Sequence, residues 1–240
     1  MIAANHKKWA DLIFLPYITW LCKQHFFSIR LIGPVPACDR TKPFLLLPNH
    51  SSWWDGFFAY LLNKRVFQRK SYLMMLEKQL KQNRFFRYLG AYSIDPSTVQ
   101  GVRKSLAYTI NLLNNPNESP LVCFFPQGEL QPWHTRPIVL KKGLDFLLDR
   151  ITEDIDVAFL GIRVELLGEQ RPDVFMQISP IIHIDGQTRF SVSEVESEFN
   201  TFLDQLEEKI IHGERGEIIL QGRRSVNERF RLSKRQGNSH

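Results

Sequence analysis

The sequence predicts an α/β fold, because short apolar segments typical of buried strands alternate along the chain with segments of helical periodicity. The chain has 240 residues, of which 43% are hydrophobic and 23% are charged. A globular protein of this length and composition can form one large domain with a sizeable core. The mean hydropathy of −0.23 excludes a polytopic membrane protein.

The secondary structure is assigned from apolar runs and from the residues that end them. The predicted strands are bounded by proline, glycine, asparagine or charged residues and cover residues 44–47, 71–76, 91–94, 121–125, 157–167 and 174–184. The predicted helices cover residues 53–63, 77–88, 97–113, 143–150 and 193–212. Ser51 or Ser52 is the expected cap of the first of these helices.

An aromatic-rich apolar segment lies near the N-terminus, with lysines at 7, 8 and 23 on either side of it. Its apolar run, residues 12–22, is too short to cross a bilayer, which needs about 20 residues. Two interpretations remain open: a helix that lies in the membrane interface, or a helix that covers the core. Pro16 is expected to kink this helix or to divide it. The residues that recur at helical spacing are Trp9, Leu12, Ile13, Pro16, Tyr17, Trp20 and Leu21.

The chain is basic, with a formal net charge of +6 and a pI of about 9.3. A basic surplus suits an anionic partner such as nucleic acid, a membrane surface or an acidic substrate. No nucleic-acid motif is recognisable, and most of the excess lies in residues 222–240, so nucleic acid is not an expected partner. This tail is either a solvated extension or a second contact with anionic lipid.

The cysteines give no sign of a disulfide framework or a metal site. Cys22, Cys38 and Cys123 are far apart, odd in number and form no CxxC pair. This pattern argues against a zinc site, so no metal is predicted, and it favours a reducing compartment.

The candidate chemistry lies in residues 49–55, NHSSWWD. If a strand ends at residue 48 and a helix begins near 52, His50 and Asp55 can meet across the helix entrance. The carboxylate would then hold the imidazole in one tautomer and stabilise its protonated form. Such a pair suits a nucleophile that arrives with the substrate, as in acyl transfer to a hydroxyl. The alternative is structural: Ser52 and Asp55 have the spacing of a capping box.

Further motifs follow in a recognisable order. Residues 49–55 resemble the NHxxxxD motif of PlsC-like glycerolipid and lysophospholipid acyltransferases. Residues 124–129, FFPQGE, resemble the FPEG motif of that family, and residues 140–143, LKKG, resemble its FKxG segment. Residues 90–96 stand where the family has GxxFIxR, and residues 157–162 resemble its last apolar strand. The order and approximate spacing agree from about residue 30 to 185.

The resemblance implies a mixed sheet flanked by helices and preceded by N-terminal membrane-associating helices. It divides the chain into an N-terminal segment 1–30, an acyltransferase domain 31–221 and a basic tail 222–240. The implied reaction moves a fatty acyl group from acyl-CoA or acyl-ACP to a hydroxyl of a membrane lipid, at the cytoplasmic face. No metal or other cofactor is implied, the acyl chain would lie in an apolar tunnel, and the interfacial interpretation of the N-terminus is favoured.

The resemblance also implies roles for particular residues. His50 would be the general base, and Asp55 would orient it. The expected substrate-binding residues come from the matched motifs and their surroundings: Asn49, Ser51, Gln127, Gly128, Glu129, Lys141 and Arg136.

Three positions depart from the family pattern. Pro96 and Leu130 stand where the family has the arginines that bind the acceptor phosphate, and Gln127 replaces the acid of FPEG. Neither Pro96 nor Leu130 can supply the charge and the fork of a guanidinium. The acceptor is therefore expected to be lysophosphatidic-acid-like with another basic residue in place, or a lipid without that phosphate, such as a glycolipid, amino-acid lipid or terpenoid. A non-catalytic lipid-binding relative is a further alternative, against which the intact His50 and Asp55 speak. The candidates for a compensating charge are Arg103, Lys104, Arg136, Lys141 and Lys142.

Overall fold

The structure is a computed structural model that describes residues 1–115, 117–185 and 191–226. Nine strands in these residues form one sheet: β1 (Ser28–Ile32), β2 (Phe44–Pro48), β3 (Ser71–Leu76), β4 (Ala91–Ile94), β5 (Leu121–Cys123), β6 (Ile155–Glu165), β7 (Asp173–Ile178), β8 (Ile182–Ile184) and β9 (Glu217–Gln221). The α-helices of the same residues are α1 (Lys8–His25), α2 (Asp55–Leu62), α3 (Glu77–Gln82), α4 (Val99–Leu113), α5 (Gly143–Leu148) and α6 (Val192–Ile211).

The sheet is mixed, as the resemblance implied. The strand order is β4-β3-β5-β2-β6-β7-β1-β9, and β8 pairs with β6 outside this path. The strands from β4 to β6 in this order are mutually parallel, whereas β7 runs antiparallel to β6 and β9 runs antiparallel to β1. Ligands of open α/β sheets bind beyond the carboxyl ends of parallel strands, so the end of β2 is the place to look for a site.

Strand β2 is central and buried on both faces, as expected of a parallel strand covered by helices on either side. Leu45 and Leu47 join a core cluster with residues of α4, α5 and α6. Phe44 and Leu46 point the other way and join a cluster with residues of α1 and α2. The residues that follow β2 are thus carried by a rigid strand at the centre of the protein.

Two strands were missed, and one predicted strand is divided. Neither β1 nor β9 was predicted, and residues 28–30 of β1 lie in what was predicted to be the N-terminal segment. Strand β9 is mostly exposed, and β1 is its one partner among the described strands, so its sequence lacks the apolar run of a central strand. The predicted strand 174–184 is two strands, β7 and β8, because Pro180 interrupts it.

Helix α1 is one continuous helix despite Pro16. A proline removes the hydrogen bond to the carbonyl four residues earlier, here that of Leu12. Leu12 is 76% exposed, so the interruption lies on the outer side of the helix. No helix among the described residues combines the length and apolar character needed to cross a membrane. From residue 227 onward the predicted basic tail lies outside the described residues.

Candidate active site

The loop after β2 carries the predicted residues 49–55. Asn49 is buried, and its side chain bonds both backbone groups of Ile162 on β6: the Ile162 amide donates to Oδ1 at 2.7 Å, and Nδ2 donates to the Ile162 carbonyl at 3.1 Å. Nδ2 also donates to Ser51 Oγ at 3.0 Å. Asn49 therefore fixes the end of β2 to its neighbour, which holds His50 in place.

His50 and Asp55 form the contact that their spacing predicts. Nδ1 of His50 lies 3.0 Å from Oδ2 of Asp55, and the carboxylate is only 1% exposed. The imidazole packs against the ring of Phe125, with a centroid separation of 4.2 Å. The His50 side chain is only partly buried, so a substrate can reach its outer edge.

Asp55 is held by four hydrogen bonds, and the predicted serine cap takes a different form. The backbone amides of Ser51 and Ser52 donate to Oδ2 at 2.7 and 2.8 Å, and Ser52 Oγ donates to Oδ1 at 2.6 Å. Helix α2 begins at Asp55, and Trp54 is its N-cap without a side-chain bond. No serine side chain caps the N-terminus of α2. Instead, the Asp55 carboxylate in its first turn binds the preceding loop, residues 51–52.

A second loop, after β5, closes over His50. The His50 amide donates to Gln127 Oε1 at 2.6 Å, and Gln127 Nε2 donates to Gln131 Oε1 at 2.7 Å. The Gln131 amide in turn donates to the His50 carbonyl at 2.9 Å. Gly128 makes the turn with φ +68°, a conformation that favours glycine, and an added Cβ would lie 3.0 Å from Lys141 Cγ. Gln127 and Gly128 were predicted only as substrate-binding residues; the bonds that join Gln127 and Gln131 to the backbone of His50 were not predicted.

The remaining predicted binding residues, Glu129, Lys141 and Arg136, all form ion pairs. Lys141 Nζ lies 2.8 Å from Glu129 Oε1 in an exposed pair, which contributes little to stability. The Lys141 amide donates to the Pro126 carbonyl at 2.9 Å, which joins the two matched segments. Arg136 Nε lies 2.7 Å from Oδ1 of Asp204 on α6, so a carboxylate already pairs with its guanidinium. Three other candidate cations, Arg103, Lys104 and Lys142, are exposed.

A family model with the description Acyltransferase matches residues 34–148, which include the His50–Asp55 pair and the loop after β5. Residues 34–148 therefore form a domain of this acyltransferase family. Its fold is similar to the solved structure of the 1-acyl-sn-glycerophosphate (LPA) acyltransferase PlsC from Thermotoga maritima, with a TM-score of 0.55 and 17% sequence identity. The similarity covers 84% of this chain and 78% of that chain. No curated protein matches the chain. The predicted family and the prediction of an acyltransferase enzyme are confirmed.

An ionic cluster that sequence analysis missed lies beside Asn49 in the acyltransferase. Arg163 on β6 pairs with Glu165 and with Glu207 on α6, each at 2.8 Å. Its guanidinium also stands over the Trp133 ring, 5.6 Å from the centroid. Arg163, Glu207 and Trp133 line a small cavity together with Asn49 and Arg136. Because Glu207 also lies 3.8 Å from Arg136, carboxylates already neutralise both arginines.

The cysteine nearest the dyad of the acyltransferase is not poised as a nucleophile. Cys123, at the end of β5, is buried. Burial raises the pKa of its thiol, and the charge of Asp55 raises it further. A thiol whose pKa is raised stays protonated and is a weak nucleophile.

An aromatic surface extends from the dyad of the acyltransferase toward α1. Trp53, three residues after His50, is 63% exposed and packs on Phe57 at 4.7 Å. Phe57 contacts Phe14 of α1 and Phe86, each at 6.0 Å between centroids. An open groove of about 500 Å³ lies alongside, between α1 and the turn after α3. Its lining residues are Ile13, Phe14, Tyr17, Gln82, Asn83, Arg84, Phe85 and Phe86.

Proposed function

We propose that this acyltransferase moves a fatty acyl group from a thioester, acyl-CoA or acyl-ACP, to a hydroxyl of a membrane lipid, with His50 as general base. The observation that carries the proposal is the His50–Asp55 contact at the carboxyl end of the central strand β2, inside the matched family range. A carboxylate that orients an imidazole is the arrangement general-base catalysis needs.

The proposed proton positions follow from the contact between His50 and Asp55. Nδ1 of His50 faces a carboxylate that can only accept, so Nδ1 carries the ring proton and Nε2 keeps its lone pair. Nε2 takes the proton of the acceptor hydroxyl as its oxygen attacks the thioester carbonyl. The imidazolium is stabilised by Asp55. When the tetrahedral intermediate collapses, the C–S bond breaks and the thiolate takes that proton, which gives an ester and a free thiol.

Direct transfer is favoured over a covalent acyl-enzyme by the contacts of the neighbouring groups. Ser52 Oγ donates to Asp55 Oδ1, and Ser51 Oγ accepts from Asn49. Among the described residues neither hydroxyl forms a hydrogen bond with His50, and the raised pKa of Cys123 leaves its thiol protonated. The substrate hydroxyl is then the nucleophile that His50 activates.

Asp55→Asn is expected to lower the transfer rate by about 10²-fold with little change in stability. The asparagine oxygen can replace Oδ2 as acceptor for the two amides and for His50, and its NH₂ can donate to Ser52 Oγ. Only the negative charge that stabilises the imidazolium is lost. Steady-state kinetics and thermal unfolding test this expectation.

The matched control is Asp156→Asn, because Asp156 is a buried carboxylate that pairs with His183 at 2.8 Å elsewhere in the fold. This control should keep the full rate. If Asp55→Asn keeps the full turnover rate, Asp55 only holds the loop in place and has no role in catalysis.

The outer face of α1 is the proposed membrane contact. Its inner face packs into the core through Phe14, Ile18 and Cys22, whereas Leu12 and Ile13 on the outer side are exposed. Other exposed aromatic residues of this face are Trp9, Tyr17 and Trp20. An exposed apolar helix face flanked by lysines suits the interface of an anionic membrane. The groove beside α1 then opens toward the bilayer and could receive an acyl chain from it.

Leu12→Gln combined with Ile13→Gln is expected to weaken vesicle binding about tenfold or more, because each side chain loses part of the roughly 1.5–3 kcal/mol of full burial. Removal of residues 1–27 is not a clean test, since it would also take Phe14 and Ile18 out of the core. Flotation with anionic vesicles measures the effect.

The control carries Leu166→Gln and Ile211→Gln, two exposed apolar residues outside α1. It should float like the unmodified chain. Equal flotation of both double variants would reject α1 as the anchor.

The proposed function is tested most directly by offering the purified full chain labelled acyl-CoA or acyl-ACP together with lysolipids and hydroxylated neutral lipids in vesicles. Formation of an acylated lipid that depends on the protein is expected. Lipid mass spectrometry of cells with and without the protein identifies the natural acceptor. Lipid binding without any transfer to any acceptor would favour the non-catalytic alternative.

A further inference from the structure

We propose that Gln127 is a positioning residue for His50, and that its uncharged side chain leaves Asp55 as the carboxylate that governs the protonation of the imidazole. This inference rests on the proposed role of His50 as general base. It concerns the position at which the chain departs from the acid of the family motif it resembles.

The contacts form a closed ring around the backbone of His50. Gln127 Oε1 accepts from the His50 amide, Gln127 Nε2 donates to Gln131 Oε1, and the Gln131 amide donates to the His50 carbonyl. The peptide groups on both sides of His50 are thereby fixed. Gln127 is 2% exposed, so its bonds do not compete with water. Asp55 orients the ring of His50, and Gln127 orients the backbone that carries it.

The Gln127 side-chain amide completes this cycle of hydrogen bonds without adding a charge. A glutamate at 127 could also accept from the His50 amide, and Gln131 could turn its own amide group round to donate to it. The ring would still close, so glutamine and glutamate at this position differ chiefly in charge. A second carboxylate would favour the imidazolium over the neutral imidazole. Because the general base must be neutral, the enzyme would then need a higher pH.

The other charged groups around His50 are already compensated. Glu129 pairs with Lys141, and Glu207 pairs with Arg163 beside Asn49. The thiol of Cys123 is neutral because its pKa is raised by burial. Asp55 faces the imidazole directly, at 3.0 Å. A carboxylate at 127 would therefore act on His50 without a cation of its own.

The test variant is Gln127→Glu. A buried unit charge next to the His50 backbone, at an effective dielectric constant of about 20, is expected to raise the pH at which the imidazolium loses its proton by about one to two pH units. The acid limb of the kcat/KM profile should move to higher pH by that amount, with the plateau rate nearly retained. NMR titration of the His50 ring, assigned with His50→Ala, should show the same displacement.

Gln127→Leu separates the positioning role from the charge. Leucine removes the two hydrogen bonds that the Gln127 side chain makes and adds no charge. We therefore expect kcat to fall about tenfold or more at every pH, with no change in KM or in the acid limb of the kcat/KM profile. The control is Glu217→Gln, which changes an exposed carboxylate on β9 at the edge of the sheet and should leave the acid limb of the kcat/KM profile in place. Should Gln127→Leu fail to fold, Gln127→Glu alone decides the charge effect.

The outcomes distinguish this inference from the proposed function. An NMR titration of His50 that does not move in Gln127→Glu overturns the inference, whatever the activity. A titration that moves while the kcat/KM profile stays in place counts against His50 as the base, and so against the proposed function itself. An unchanged kcat in a folded Gln127→Leu variant overturns the positioning role.

Discussion

Replacing His50 by alanine is expected to lower the rate of acyl transfer by about 10²- to 10⁴-fold, the usual contribution of a general base. The fold should be retained, because the imidazole is only partly buried and its polar contact is the bond to Asp55. The loop keeps its shape through the bonds from the Ser51 and Ser52 amides to Asp55 and from the His50 amide to Gln127. Initial rates under saturating donor and acceptor measure the effect.

The fold itself provides a matched control. His183 also bonds a buried carboxylate, Asp156, at 2.8 Å, but it lies on β8 and pairs with the amino end of β6, away from the carboxyl end of β2. His183→Ala should leave the rate within about twofold of the unmodified enzyme. Comparable losses in both variants would mean that the His50 effect is one of stability, and turnover by His50→Ala at the full rate would refute the proposed base.

The central strand and the dyad were predictable because the information is local. The apolar run before Pro48 and the five-residue spacing of His50 and Asp55 suffice to place both side chains at one strand end, where the structure has them 3.0 Å apart. The parallel order of strands is not local, and the mixed sheet came from the family resemblance. Strand β9 could not be found because its pairing with β1 depends on a partner almost two hundred residues away.

The roles of Arg136 and Gln131 show the same limit. Arg136 was predicted to bind substrate. Its ion-pair partner Asp204 could not be predicted, because Asp204 lies on a helix distant in the chain and only the fold brings the two side chains within 2.7 Å. Gln131 gave no signal, because its backbone amide and its side-chain oxygen meet His50 and Gln127 only once the loop has folded. Contacts made by backbone groups and by distant elements leave no pattern in a single sequence.

Helix α1 illustrates an ambiguity that periodicity could not resolve. Its sequence is apolar on most sides, so an interfacial helix and a core-covering helix predict nearly the same pattern. In the structure Phe14 and Ile18 face the core, as expected of a core-covering helix. Leu12 and Ile13 remain exposed on the other side, and the membrane contact proposed for that side stays a prediction. The two interpretations therefore describe different faces of one helix.

The second large effect is expected in the choice of acceptor: lysophosphatidic acid should be used about 10²-fold less efficiently than an acceptor without a phosphate at that position. A hydrogen bond to a charged group contributes about 1.5–3 kcal/mol, and the two arginines of the family pattern are absent. Pro96 follows β4 at the sheet edge that carries His50, and Leu130 is 55% exposed in the loop over it. A buried phosphate without a cationic partner is costly.

Three basic side chains around this site are already paired with carboxylates. Arg136 is bound by Asp204, Lys141 by Glu129 and Arg163 by Glu207, each at 2.7 or 2.8 Å. Recruiting any of them to a phosphate would first require breaking an ion pair and leaving its carboxylate near the ligand. This cost falls on phosphate-bearing acceptors and spares neutral lipids.

The measurement is a competition assay with lysophosphatidic acid beside hydroxylated glycolipids, amino-acid lipids and terpenoids, read as ratios of kcat/KM. Leu130→Arg should raise the ratio for lysophosphatidic acid about tenfold or more by returning one guanidinium to the loop. Ile218→Arg is the control, because Ile218 is exposed on β9 at the edge of the sheet, and it should leave the ratios of kcat/KM unchanged. A strong preference of the unmodified enzyme for lysophosphatidic acid would sink this prediction. That result would mean that a paired cation leaves its carboxylate and binds the phosphate of the acceptor. Lys141 and Arg136 are the first candidates for this exchange.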